Sequence, residues 1–133
     1  MNELNEIYTG MILELYRNPL HKGKLDDANA VFRDLNPVCG DEIEIGLKIK
    51  FGRVNEGKFD GRGCAISQAA ASMLLKIIHG KEIEDILKID IDNLLEEMNL
   101  QNLKNNPVRI KCAALPLKVL KIAVIKYLSD KDN

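Results

Sequence analysis

The sequence predicts an α+β fold, a small antiparallel sheet of about three strands with helices packed on one face. Two observations carry most of that prediction. Ile43, Ile45, Leu47, Ile49 and Phe51 alternate with Glu42, Glu44, Gly46, Lys48 and Lys50, the period-two pattern of a strand with one buried face. Apolar residues at three- and four-residue steps flank that run on both sides, so helices precede and follow the strands instead of alternating with them.

Leu4, Ile7, Tyr8, Met11 and Leu15 line one face of a first helix, from about Leu4 to Tyr16, which Asn18-Pro19 ends. Residues 20–29 are polar, include Gly23 and read as a loop. Val31 to Leu35 is a short strand. The alternating run follows, Gly52 turns the chain, and Val54 to Asp60 returns as its antiparallel partner. After Gly61 and Gly63 a helix spans Ala65 to His79, with Ile66, Ala69, Ala70, Met73, Leu74 and Ile77 inward and Gly80 as its stop. Ile83, Ile86 and Leu87, then Leu94, Leu95 and Met98, mark short helical pieces. Asn105-Asn106-Pro107 breaks the pattern. A last helix covers about Ala113 to Leu128 with Leu115, Val119, Ile122, Ala123 and Tyr127 buried. Proline is tolerated in a helix's first turn, so Pro116 places the start at or just after Cys112. Asp130 to Asn133 reads as a frayed tail.

At 133 residues the chain is read as one domain, 1–133, able to bury a core without staples. A net charge of −1 predicts neither a nucleic-acid nor a membrane surface. Glu3 and Glu6 near the start, with no long apolar run, predict no signal peptide, and no stretch is long enough to span a bilayer. The odd cysteine count then fits reduced thiols in the cytoplasm.

A buried free cysteine is a common core residue, and Cys39, Cys64 and Cys112 each allow that reading alone. Their neighbours argue otherwise. Each lies at a break in regular structure, in Asn36-Pro37-Val38-Cys39-Gly40-Asp41, Gly61-Arg62-Gly63-Cys64-Ala65-Ile66-Ser67 and Pro107-Val108-Arg109-Ile110-Lys111-Cys112. Ligand and catalytic residues concentrate at such element ends. Cys64 and Cys112 are read as opening helices, where the dipole favours a thiolate. Cys39 and Asp41, two apart in extended chain, point to one side. Three thiolates and a carboxylate suit tetrahedral zinc or the irons of an iron–sulfur cluster. Such a site requires Cys39, Asp41, Cys64 and Cys112 to converge at one exposed spot. Gly61 and Gly63 would let backbone amides approach the sulfurs.

Rival chemistries fit less well. There is no CxxC pair, and Ile66 stands where the third glycine of a dinucleotide loop belongs. Of the two histidines, His79 lies about 22 Å along the helix from Cys64, too far to act as its base, and His21 reads as a solvated loop residue. Lys111 is either a surface lysine or a charge that favours the Cys112 thiolate. Lys118, Lys121 and Lys126 read as a solvated face.

These motifs, in this order and spacing, resemble the U-type iron–sulfur cluster assembly proteins, the IscU / SufU / NifU N-terminal family. Tyr16-Arg17-Asn18-Pro19 through Gly23 resembles the family's first helix and its exit. The resemblance covers nearly the whole chain and implies a SufE/NifU-like fold. It implies Cys39, Asp41, Cys64 and Cys112 as ligands of a transient [2Fe–2S] cluster or iron, with zinc in the same site. It further implies a cysteine desulfurase as sulfur donor, Cys112 or Cys39 as sulfur acceptor, and apo-proteins as recipients. Lys111 stands where the IscU branch has a histidine, as in SufU. The segment between the second and third cysteines is shorter than in SufU. The IscU chaperone-recognition stretch, Leu-Pro-Pro-Val-Lys, is here Asn105-Asn106-Pro107-Val108-Arg109, a departure that counts against binding of the dedicated Hsp70-type chaperone. The expected role is a scaffold, not a turnover enzyme. A zinc-dependent sulfurtransferase is the alternative and a structural zinc module the third class.

Overall fold

A computed structural model of the chain describes residues 10, 12–38 and 40–131. Among them, strands β1 (Ala30–Leu35), β2 (Glu42–Lys50) and β3 (Arg53–Arg62) form one antiparallel sheet in the order β1-β2-β3. The alternation in β2 works as its pattern demands. Ile43, Ile45 and Leu47 are fully buried, and Ile49 nearly so.

Phe51 departs from the expected strand. It forms with Gly52 the two-residue turn between Lys50 and Arg53, which are paired. Both turn residues are left-handed, φ 53° for Phe51 and 74° for Gly52. Paired positive φ values match the right-handed twist of a hairpin. The Phe51 ring is therefore fully exposed. Beyond the turn, Ile49 pairs with Val54 but Lys48 pairs with Glu56, so Asn55 is an extra residue in β3. This bulge moves Phe59 onto the inner face opposite Ile45, where it is fully buried. Gly57 falls on that face too. A Cβ there would lie 2.9 Å from Leu47 Cδ2 and 3.0 Å from Leu75 Cδ2, so the glycine lets a helix lie close on the sheet.

Helix α1 (Leu13–Arg17) ends at Asn18 as expected. Leu4, Ile7, Tyr8 and Met11 of its expected apolar face lie outside the described residues. The loop after it is strapped to the edge of β3, with Gly23 N–H donating to the Phe59 carbonyl and Phe59 N–H to the His21 carbonyl. Two long helices, α2 (Ala65–Ile78) and α5 (Pro107–Lys131), pack side by side on the inner face, α2 against β3 and α5 against β1 and β2. Between them run α3 (Ile83–Leu87), α4 (Ile91–Glu97) and a 3-10 turn (Gln101–Asn105). The single inward stripe expected for α2 understates its burial. Every residue from Ile66 to Leu75 is buried, because α1, α4 and α5 also pack on it, while Ile77 is only partly so. Its alanines permit that closeness.

The last helix starts well before Cys112, and Pro116 lies inside it. The Asn106-Pro107 pair read as a break is in fact its start. Asn106 Oδ1 accepts from Arg109 N–H at 3.0 Å, a side-chain N-cap, and Pro107 occupies the first helical position, where its missing N–H costs nothing. Pro116 removes the bond that would reach the Cys112 carbonyl. Burial of Leu115, Leu117, Val119, Leu120, Ala123 and Val124 holds the helix through that gap, while Ile122 and Tyr127 are half-buried. Asp130 and Lys131 are helical, not frayed. Lys118 pairs with Asp34 at 3.0 Å and Lys126 lies 5.6 Å from the centre of the Phe32 ring, tying this face to β1. Lys118 holds the Asp34 carboxyl below its ordinary range, helped by Leu35 N–H. Among the described residues no helix is long and apolar enough to cross a membrane.

The turn makes a direct prediction. Asn tolerates the left-handed region that strains Phe51, so Phe51→Asn is expected to stabilise the fold by about 0.5–1 kcal/mol. A urea midpoint equal to or below that of the wild type would contradict it.

Candidate metal centre

The register of β2 and β3 builds the site. Glu42 pairs with Arg62, so one step further Asp41 meets Gly63, and Cys64 follows. Gly63 has φ 147°, and a Cβ on it would lie 2.4 Å from Asp41 Oδ1. Gly61 has φ 141°, and its Cβ would lie 2.0 Å from the Glu42 carbonyl oxygen. The two glycines are therefore required by Asp41 and the β2 backbone. Making room for amides to approach the sulfurs, the role expected for them, is not what these clearances provide.

Cys64 is the N-cap of α2, with extended backbone angles. Its N–H donates to Asp41 Oδ1 at 2.9 Å, and its Sγ–H donates to Asp41 Oδ2 at 3.3 Å. One carboxylate thus fixes both the backbone and the sulfur of Cys64. Ser67, one turn on, donates its hydroxyl to the Cys64 carbonyl at 3.1 Å and sits 3.8 Å from the Cys64 sulfur.

Cys112 arrives from the second turn of α5, and its Sγ lies 3.8 Å from the Val108 carbonyl. It does not open the helix, so the dipole argument made for it from sequence does not apply. What brings it to the site is the packing of α5 across α2. The donor atoms of Asp41, Cys64 and Cys112 all lie within 4.8 Å of one another. Three of the four expected ligands therefore converge. Cys39 lies outside the described residues. Around it, Gly40 N–H donates to the Asn36 carbonyl, Asn36 N–H to the Asp41 carbonyl and Val38 N–H to Asn36 Oδ1, which closes the β1–β2 connection tightly.

The spot is not exposed in the way expected. Asp41 is 2% and Cys112 3% exposed, and Cys64 is half-buried. Cys64 is the most exposed of the three. Lys111 is exposed and lines a cleft of about 240 Å³ with Leu35, Asn36, Pro37, Ala114, Leu115 and Lys118, beside the site. Cys64 is a free thiol.

The donor set fits a soft metal. Tetrahedral thiolates bound at a Zn–S distance of about 2.3 Å stand about 3.8 Å apart, so a shift of about 1 Å suffices to close the group around an ion. A carboxylate beside two sulfurs suits zinc or iron and not magnesium or calcium, which take all-oxygen shells. Sequence reasoning quoted Ser67 but gave it no role. Its spacing of three from a helix-opening cysteine, which puts the two on one face, is the signal that was there to use.

A three-stranded α+β domain with a mixed carboxylate–thiol donor group at the start of its central helix is a narrow class, and the comparisons place the chain within it. The chain belongs to the NifU-like N terminal domain family, whose model matches residues 7–133. It is 38% identical to the iron–sulfur cluster assembly scaffold protein IscU of Thermotoga maritima, over 90% of this chain and 94% of that protein. It is 37% identical to the zinc-dependent sulfurtransferase SufU of Bacillus subtilis, over 92% of each. The crystal structure of a putative iron–sulfur cluster assembly scaffold protein for the SUF system from Fervidobacterium islandicum superposes with a TM-score of 0.76 at 31% identity, covering 90% of this chain and 98% of that one. A NifU-like N-terminal protein from Brucella abortus shares the fold, with a TM-score of 0.82 at 20% identity over 98% of this chain and 99% of that one.

The clearance at Gly63 is testable. Gly63→Ala imposes a strained φ and expels the Asp41 carboxylate from its bond to Cys64 N–H, at a cost on the order of 3 kcal/mol. Chemical denaturation within 0.5 kcal/mol of the wild type would contradict this.

Proposed function

We propose that this protein is an iron–sulfur cluster assembly scaffold, acting in the cytoplasm as a single domain. A cysteine desulfurase supplies sulfur as a persulfide. The acceptor thiolate, Cys112 or Cys39, attacks the terminal sulfur, the donor thiolate leaves, and the new S–S bond carries the sulfur. With iron(II) and an external electron donor that reduces each persulfide sulfur to sulfide, breaking the S–S bond and returning the acceptor thiolate, a [2Fe–2S] cluster is assembled as cargo on Cys39, Asp41, Cys64 and Cys112 and passed to apo-proteins. Lys111 supplies positive charge beside the acceptor. The reading is supported above all by Asp41. A buried carboxylate within 4.8 Å of two sulfurs is a poorer ligand for a soft cluster than a fourth thiolate would be, and so favours release.

A zinc-dependent sulfurtransferase is the second reading. The 37% identity to SufU favours it, as does Lys111 in the place where the IscU branch has histidine. Here zinc orders the thiolates and one leaves the metal to accept sulfur. Desulfurase turnover separates the two. Strong stimulation that requires zinc, with no visible cluster spectrum when iron and sulfide are supplied anaerobically, overturns the scaffold reading.

Asp41→Ala sharpens the test. Loss of the bond to Cys64 N–H is expected to cost the apo-protein about 1.5–3 kcal/mol. Stability alone is therefore uninformative about delivery, and the deciding readout is the cluster. The variant is expected to hold its cluster severalfold longer and to transfer it severalfold more slowly to an apo-protein. A cluster lost faster than from the wild type would sink the role given to Asp41.

A further inference from the structure

We propose that the Ser67 hydroxyl is the hydrogen-bond donor to the Cys64 sulfur once that sulfur holds metal, which makes Ser67 a positioning residue of the centre. The proposal rests on the reading of Asp41, Cys64 and Cys112 as a metal site, and deepens it. In the apo-protein the thiol proton points to Asp41 Oδ2, 3.3 Å away. A metal-bound thiolate has no proton and only accepts, so it needs a donor. Two backbone donors at Cys64 are engaged. Its own N–H serves Asp41 Oδ1, and Gln68 N–H serves its carbonyl at 3.2 Å. The Ser67 hydroxyl also serves that carbonyl, at 3.1 Å, and is the redundant partner. It can therefore turn to the sulfur without stranding a buried carbonyl.

The geometry allows that turn. Ser67 Oγ lies 3.8 Å from Cys64 Sγ, a long contact that a few tenths of an ångström of side-chain movement shortens. Ser67 is fully buried, so water does not compete for its proton. A hydrogen bond to a metal-bound thiolate withdraws charge from the sulfur. It lowers the energy of the sulfur lone pair and raises the reduction potential of a cluster bound there. Ser72 provides an internal control. It is equally buried on the same helix, its hydroxyl has no hydrogen-bond partner among the described residues, and it lies about 12 Å along the axis from Cys64.

The test uses cobalt(II) alone as probe, titrated anaerobically into the full chain as wild type, Ser67→Ala, Ser67→Thr and Ser72→Ala, with circular dichroism of each apo-form. The wild type is expected to show a sulfur-to-cobalt charge-transfer band. That band should move to longer wavelength in Ser67→Ala and stay in place in Ser67→Thr and Ser72→Ala. The [2Fe–2S] form of Ser67→Ala should be reduced at a lower potential. A wild-type band that Ser67→Ala leaves unmoved overturns the Ser67 role while leaving the metal site standing. So do Ser67→Thr and Ser72→Ala bands that shift as far as that of Ser67→Ala. A wild type with no sulfur-to-cobalt band overturns the metal site, and this inference with it.

Discussion

Successive residues of a strand face opposite sides of a sheet, so one extra residue reverses the facing of everything beyond it. Asn55 is that residue in β3. Without it, Val54 inward would be followed by Glu56, Lys58 and Asp60 inward, burying three charges under α2. With it, Gly57, Phe59 and Gly61 face the helices and the charges face outward. The same step moves the far end of the strand by one position. Asp41 then meets Gly63 and not Arg62, and this contact allows its carboxylate to reach Cys64 N–H. Core and site are thus consequences of a single register, and a change that healed the bulge would lose both.

Asp41 is the point where fold and chemistry share one group. A carboxylate 2% exposed is costly to bury unless hydrogen-bonded. Its bond to Cys64 N–H satisfies part of that need and caps the first turn of the central helix, where a negative charge is also favoured by the dipole. The same oxygens lie within reach of two sulfurs. A metal bound here would therefore not have to gather these donors from scattered places. Under the proposed function an ion would take the place of the proton between Cys64 Sγ and Asp41 Oδ2, in a pair the fold already holds together.

Much of this was legible in the residues, and the gaps have physical causes. The β2 alternation, the α2 span and the three motifs carried the fold and the donor set. Phe51 was misplaced because it continues the apolar parity of β2; only the positive φ of a two-residue turn removes it from the strand. The sequence places the start of α5 too late because Pro116 fits a first helical turn, while Asn106-Pro107, a cap followed by proline at the first position, also resembles a break. Tertiary burial outweighed the lost hydrogen bond. The bulge left a trace in the sequence. Val54 and Phe59 are five apart, an odd separation that two inward residues of one regular strand cannot have. The burial of Asp41 and Cys112 had no such trace, since it comes from tertiary packing.

The three described donors also differ in what holds them, and that difference bears on release. Cys112 sits inside a long helix packed on the sheet, so its sulfur moves only with that helix. Cys64 sits at a helix terminus, and Asp41 in the last residue before a strand, where small backbone changes are cheapest. The most rigid position therefore carries a thiolate, the firmer ligand for soft iron, and the carboxylate, the weaker ligand, sits on an element end. Under the proposed function, cargo leaves by losing Asp41 first while Cys112 stays bound. Burial at 3% exposure then has a purpose for Cys112, because of the two described sulfurs the one held longer is the one less open to solvent.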